Sequence, residues 1–215
     1  MRTIQSTPKK DGFYMPAEFL PRKQDFLIWP ERQDTWRMGG KPAQKVLVEV
    51  AKEIIKHEPL TVFCSADQYE NARARLPEEV RVVEMTVDDA WAQDKGPFYV
   101  VNDEGEMRGV TWGWNCYGGL EGGLYFPWKR DQEFATKLLD LENYDRYDAR
   151  RVVFEGGAMQ IDGEGTLIVT ENSVLNHNRN PDLTKEEVEN YFKEYMGLEK
   201  VIWLKDGMAF DETDG

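Results

Sequence analysis

Cysteine and histidine are scarce in this chain. Of its 215 residues only Cys64, Cys116, His57 and His177 carry thiols or imidazoles, and neither CxxC nor paired-histidine spacing brings them together. A disulfide framework and a structural zinc site are therefore not what organises the fold. Two thiols in apolar or aromatic surroundings, TVFCSA and WNCYGG, suit a reducing compartment. Long apolar runs are missing too: none approaches the ~18 residues that a membrane-spanning helix needs. The opening MRTIQSTPKKDGFYMP has basic residues with no continuous apolar segment behind them, so it offers no secretory signal, and the expected location is the cytoplasm. Basic residues are outnumbered, 27 Lys and Arg against 40 Asp and Glu, for a net charge of -13. That balance disfavours nucleic-acid backbones and is compatible with a small cationic ligand.

What is present fits a globular protein. An apolar fraction of 40% and an aromatic fraction of 12% are enough for one core, and a chain of this size buries roughly 70% of its unfolded surface. The chain reads as a single domain over residues 1–215. Lys41 to His57 places Val46, Val50 and Ile54 on one face at helical spacing, with Leu47 and Ala51 beside them and Pro42 in the first turn. Leu60 to Cys64 reads as a buried strand, ADQYENARARL as a short helix and Val80 to Met85 as another strand. FYVVN and MRGVTWGW then form a hairpin around Asp103 to Gly105, a helix follows over Asp131 to Leu141, and RVVFE returns as a strand. The same order recurs: AMQID and TLIVT pair around Gly163 to Gly165, Thr184 opens a helix as a capping box with Glu187, Gly197 closes it, and VIWL returns.

The two hairpins are offset by about sixty residues and the closing strands by about fifty, as in one supersecondary unit copied with loop changes. This ββαβ repeat predicts blades about an axis better than it predicts one doubly wound sheet. It also puts Asp94, in WAQDKGP, and Glu155, in FEGGA, at matching joints, each before a glycine and a hairpin. Two carboxylates from successive units can thus converge on one cavity. A third joint falls at Asp214 and Gly215. The short acidic run Val87 to Asp89 reads as a solvated rim, and most tryptophans read as packing residues.

STPKKDGFYMPAEF, WPER, DDAWAQDKGPFYVVNDEGEMRGV, GGLYFPW, VFEGGAMQIDGEGTLIVTE, NRNP and ETDG, in this order, resemble the agmatine deiminases of the guanidine-modifying superfamily, which also includes bacterial-type peptidyl-arginine deiminases. The resemblance implies a pseudo-symmetric five-bladed α/β propeller, here an incomplete set of blades. It implies hydrolysis of agmatine to N-carbamoylputrescine and ammonia through a covalent thiol intermediate, in putrescine and polyamine metabolism, with no metal or organic cofactor. By the same resemblance Asp94 matches a carboxylate that holds the guanidinium, Glu155 the acidic partner that also moves protons, and Trp91 an aromatic residue of the substrate pocket. Two departures stand out. Gln93 replaces an arginine common in relatives, and the histidine and nucleophilic cysteine expected of the family lie beyond Gly215. The chain thus resembles the N-terminal portion of such an enzyme and is expected to be inactive alone.

A guanidinium stays protonated up to a pKa above about 12 and presents planar N–H donors, which match carboxylates. Asp94 and Glu155 suit that task. Cys64 and Cys116 fit the core better than the role of nucleophile. The partner expected is a small cationic guanidine, with no nucleic acid and no membrane, and a homo-oligomer is compatible with the sequence. Two other readings are a guanidinium binder without catalysis, or one piece of a split assembly, and an aromatic-rich carbohydrate module suggested by seven tryptophans.

Overall fold

The computed structural model describes residues 1–215. Its strands are β1 (Asp25–Ile28), β2 (Leu60–Cys64), β3 (Arg81–Glu84), β4 (Phe98–Val101), β5 (Met107–Gly113), β6 (Arg146–Val153), β7 (Met159–Ile161), β8 (Thr166–Thr170) and β9 (Lys200–Leu204). The helices are α1 (Lys41–Ile54), α2 (Tyr69–Arg75), α3 (Ala92–Lys95), α4 (Lys129–Gln132), α5 (Phe134–Leu141), α6 (Glu171–Val174) and α7 (Lys185–Met196). They form three open three-stranded sheets in an α/β arrangement, and none of the sheets closes on itself.

The chain divides into two compact units, a smaller one of residues 21–92 and 127–131 and a larger one of residues 1–20, 93–126 and 132–215. Each has its own apolar cluster, and the clusters share no residue. The single core suggested by composition is therefore replaced by two.

In the smaller unit β2 lies between β1 and β3, parallel to both. All five of its residues are buried, which explains its continuous apolar run LTVFC. Helix α1 begins after Gly40, whose φ is 76° and where a Cβ would lie 2.2 Å from the Pro30 carbonyl oxygen. Only glycine fits there without rearrangement. The buried positions of α1 are Gln44, Val48 and Ala51; of the expected face Ala51 is buried, whereas Val46 and Val50 are exposed. Two features favour that face: Ala51 has the smallest side chain available for packing, and the Gln44 amide donates to the Pro30 carbonyl at 2.9 Å.

The larger unit contains the repeat. Strands β4 and β5 pair antiparallel and β6 joins β5 in parallel; β7 and β8 pair antiparallel and β9 joins β8 in parallel. Helix α5 lies between β5 and β6 in the chain and α7 between β8 and β9, so the hairpin, helix and strand order occurs twice. Helix α7 has the expected capping box, and Gly197 ends it at φ 67°. Its Phe192 meets Phe154 at 4.6 Å between ring centroids. Strand β6 starts at Arg146, five residues before the stretch RVVFE. Its polar first half hides the strand in sequence, although Tyr147 and Ala149 face inward and are fully buried.

Candidate active site

The site starts from an irregularity in β6. Trp112 pairs with Ala149, but the next residue, Gly113, pairs with Val153. A bulge of this kind bends the strand and changes where its end points. Gly113 is needed because a Cβ there would come within 2.9 Å of the carbonyls of Arg150 and Val152. The Val153 peptide is then held from both sides by Asn180, which accepts its N–H at 2.9 Å and donates to its carbonyl at 2.9 Å. A second Asn180 donor reaches the Val174 carbonyl at 2.9 Å. Phe154 enters the core, so the extended residue after it, Glu155, turns its side chain the other way.

Glu155 is only 3% exposed. Its Oε1 accepts from Arg179 Nε at 2.6 Å, while its Oε2 is buried with no hydrogen-bond partner. An unpaired buried acceptor is costly, and in native proteins it calls for an explanation. Arg179 is itself fully buried at its side chain. Its remaining donors go to Asn178 Oδ1 at 2.6 Å, Asp214 Oδ2 at 3.2 Å and the Thr213 carbonyl at 3.1 Å.

The two glycines after Glu155 bring the second joint against the first. A Cβ on Gly156 would lie 2.2 Å from the Gln93 carbonyl, and one on Gly157 2.7 Å from Asp94 Oδ1. In their absence the Gly157 N–H donates to Asp94 Oδ1 at 3.2 Å. Asp94 lies in the short helical turn α3 and also accepts the hydroxyl of Tyr117. That tyrosine and its neighbour Cys116 have φ of 63° and 60°, a left-handed pair that costs about 1–3 kcal/mol per residue. The strain falls beside the carboxylate the tyrosine contacts.

Burial pushes the Asp94 carboxyl above the ordinary carboxylate range, against the Tyr117 hydroxyl, the Gly157 N–H and Lys95. Burial raises Glu155 as well; the Arg179 charge and hydrogen bond oppose the rise, and the negative charge of Asp94 adds to it. The Tyr117 hydroxyl is also raised, first by burial and then by Asp94. The result is an acidic corner of two mutually felt carboxylates, with one free buried oxygen that a planar N–H donor would satisfy.

Of the residues expected at a site, Asp94 and Glu155 are thus brought together through Gly157. Trp91 belongs to the smaller unit. There its Nε1 donates to Asp89 Oδ2 at 2.9 Å and Trp36 Nε1 donates to Asp89 Oδ1 at 2.6 Å, with the two rings 5.3 Å apart. Asp89 is 4% exposed, so it is a buried anchor for two indoles, not part of a solvated rim. Neither cysteine is in a disulfide and both are buried; burial, then Glu31 and Glu84, push the Cys64 thiol up to about 11. Arg179, Tyr117 and Asn180 were not foreseen. They sit in loops without periodicity, and in the sequence NRNP carries only a family resemblance. The smaller unit also has a groove of about 410 Å³ lined by Leu27, Trp36, Val46, Leu47 and Val50 among others. It presents no carboxylate to a cation.

Comparison with known proteins adds three findings. The family model described as Porphyromonas-type peptidyl-arginine deiminase matches residues 14–215. The chain is 56% identical over 216 residues to an agmatine deiminase of Pseudomonas fluorescens and 53% identical over 216 residues to one of Pseudomonas putida; each alignment covers 100% of this chain and 59% of the relative. Its structure is similar to that of the agmatine deiminase of Enterococcus faecalis, with a TM-score of 0.97 at 47% identity, again over 100% of this chain and 59% of the other. The chain therefore spans 59% of the length of these relatives.

Proposed function

The chain belongs to the Porphyromonas-type peptidyl-arginine deiminase family, and from that premise we propose that it forms the guanidinium-holding part of a cytoplasmic agmatine deiminase. In this reading its hairpin, helix and strand units are blades of a five-bladed α/β propeller. The reaction takes agmatine and water to N-carbamoylputrescine and ammonia, as the names of the relatives suggest. The observation that carries the proposal is the buried, unpartnered Oε2 of Glu155 beside a second up-shifted carboxylate.

Asp94 and Glu155 hold the cation by charge-assisted hydrogen bonds, each contributing roughly 1.5–3 kcal/mol. A thiolate attacks the guanidinium carbon, a C–S bond forms, and the C–N bond to the departing nitrogen breaks as that nitrogen takes up a proton and leaves as ammonia. Water then attacks the same carbon, the C–S bond breaks, and Glu155 relays the protons. Neither cysteine of this chain suits the nucleophile: Cys64 ends the buried central strand β2 with its thiol up-shifted, and Cys116 is fully buried, its sulfur accepting from the Tyr125 N–H.

The test is ammonia release from agmatine, measured for this 215-residue chain and for the chain extended to the length of its relatives. The extended chain is expected to turn over agmatine and the short one to bind it without turnover. Turnover by the short chain would overturn the assignment of the nucleophile. Failure of the extended chain on agmatine, with turnover of another guanidine, would overturn the substrate.

A further inference from the structure

Arg179 holds Glu155 in an unusual way. Arginine commonly meets a carboxylate through two parallel N–H bonds, which occupy both oxygens. Here only Nε meets Glu155, at Oε1 and 2.6 Å. Both terminal nitrogens are turned elsewhere, Nη1 to Asn178 and Asp214 and Nη2 to the Thr213 carbonyl. A guanidinium whose only task was to neutralise a buried glutamate would gain by taking the second oxygen. This one leaves it buried and unpaired.

We propose that Arg179 is a positioning residue for the reaction: it fixes Glu155 as a one-oxygen acceptor, with Oε2 reserved for the substrate guanidinium, and ties that geometry to the Thr213–Asp214 joint. The inference rests on the guanidinium-holding reading above and deepens it. The linkage is entirely within the larger unit, because Glu155, Asn178, Arg179, Thr213 and Asp214 all belong to it. Asn178 reinforces it, donating from Nδ2 to the Glu121 carbonyl at 3.1 Å and accepting at its own carbonyl from Asn115 at 2.7 Å. Arg179 thus joins the second and third joints, the places where the repeat puts acidic residues. The charged groups that face Glu155 are Arg179, which favours its ionised form, and Asp94, which opposes it.

The experiment compares this chain with Arg179→Met, Arg179→Lys and Asp214→Asn by calorimetry with agmatine between pH 5 and pH 9, and by carbon-13 titration of the Glu155 carboxyl without ligand. With methionine, affinity at neutral pH is expected to fall at least roughly tenfold, to recover in part at higher pH, and the Glu155 midpoint to rise. Lysine retains the charge and is expected to keep the Glu155 midpoint near that of the parent while still losing affinity, because one ammonium nitrogen cannot span the four partners that the guanidinium reaches. Asp214→Asn removes one of the two carboxylates that face Arg179; the arginine's charge then acts more strongly on Glu155, so the midpoint is expected to fall and agmatine, a cation, to bind more weakly. It also keeps the proposal testable if the methionine variant does not fold. A loss of affinity equal at every pH, with the Glu155 midpoint unmoved in all three variants, would reduce Arg179 to a packing residue. If the parent chain binds no agmatine at all, the guanidinium reading fails, while the ligand-free titration still reports on the Arg179 linkage.

Discussion

Asp94 and Glu155 are both pushed up by burial, yet their substitutions should have opposite effects on stability. A carboxyl whose folded pKa is raised stabilises the fold below its unfolded value, near 4, and that contribution is lost as pH rises through the folded value. Both residues therefore weaken the fold above the ordinary carboxylate range. Asp94→Asn removes a charge that burial disfavours, and its amide oxygen can still accept from Tyr117 and Gly157. Thermal unfolding is expected to occur at an equal or higher temperature, with a flatter pH dependence above about pH 4, and agmatine binding to be lost. Glu155→Gln also removes a charge that burial disfavours, but it takes from the buried Arg179 the nearer of its two carboxylates, leaving Asp214 at 3.2 Å, and should destabilise by up to about 3 kcal/mol, the cost of breaking one side of a buried pair. A Glu155→Gln variant as stable as the parent would mean that Asp214 alone neutralises Arg179.

At the scale of elements, the joints depend on glycine because one backbone passes against another. Gly156→Ala would drive a methyl group to 2.2 Å from the Gln93 carbonyl, so the Asp94 turn and the Glu155 loop must separate. Affinity for agmatine is expected to fall more than stability does, and calorimetry beside urea unfolding tests the split. By contrast, Thr184→Ala removes the side-chain acceptor at the start of α7, which takes the Glu187 N–H at 3.2 Å; it should cost about 1 kcal/mol and leave binding unchanged. This capping box was legible in sequence because it needs only residues three apart. The hairpins and β2 were legible through alternation, apolar continuity and turn residues. Strand β1 was not, since its four residues sit among prolines and charges, and neither was the first half of β6. The candidate site was legible only in part. Asp94 and Glu155 stood out by matching position in the repeat, whereas Arg179 and Asn180 act through loop geometry that no local period encodes.

For the whole molecule, the proposed function gives the net charge of -13 a testable consequence. Agmatine carries a guanidinium at one end and an ammonium at the other, so at neutral pH it is a dication, while methylguanidine carries a single charge. A negative protein attracts both from a distance, and salt screens that attraction over a Debye length of about 10 Å at 0.1 M. In the proposed complex the buried contacts at Asp94 and Glu155 are screened far less, so added salt should act mainly on association. Stopped-flow association between 20 mM and 500 mM salt, followed by the chain's tryptophan fluorescence, is expected to slow for both ligands, with a dependence for agmatine about twice as steep, as its charge requires. Equal slopes would mean that the second charge of agmatine feels no field from the protein, so that the acidic composition plays no part in capture and recognition rests on the buried corner alone.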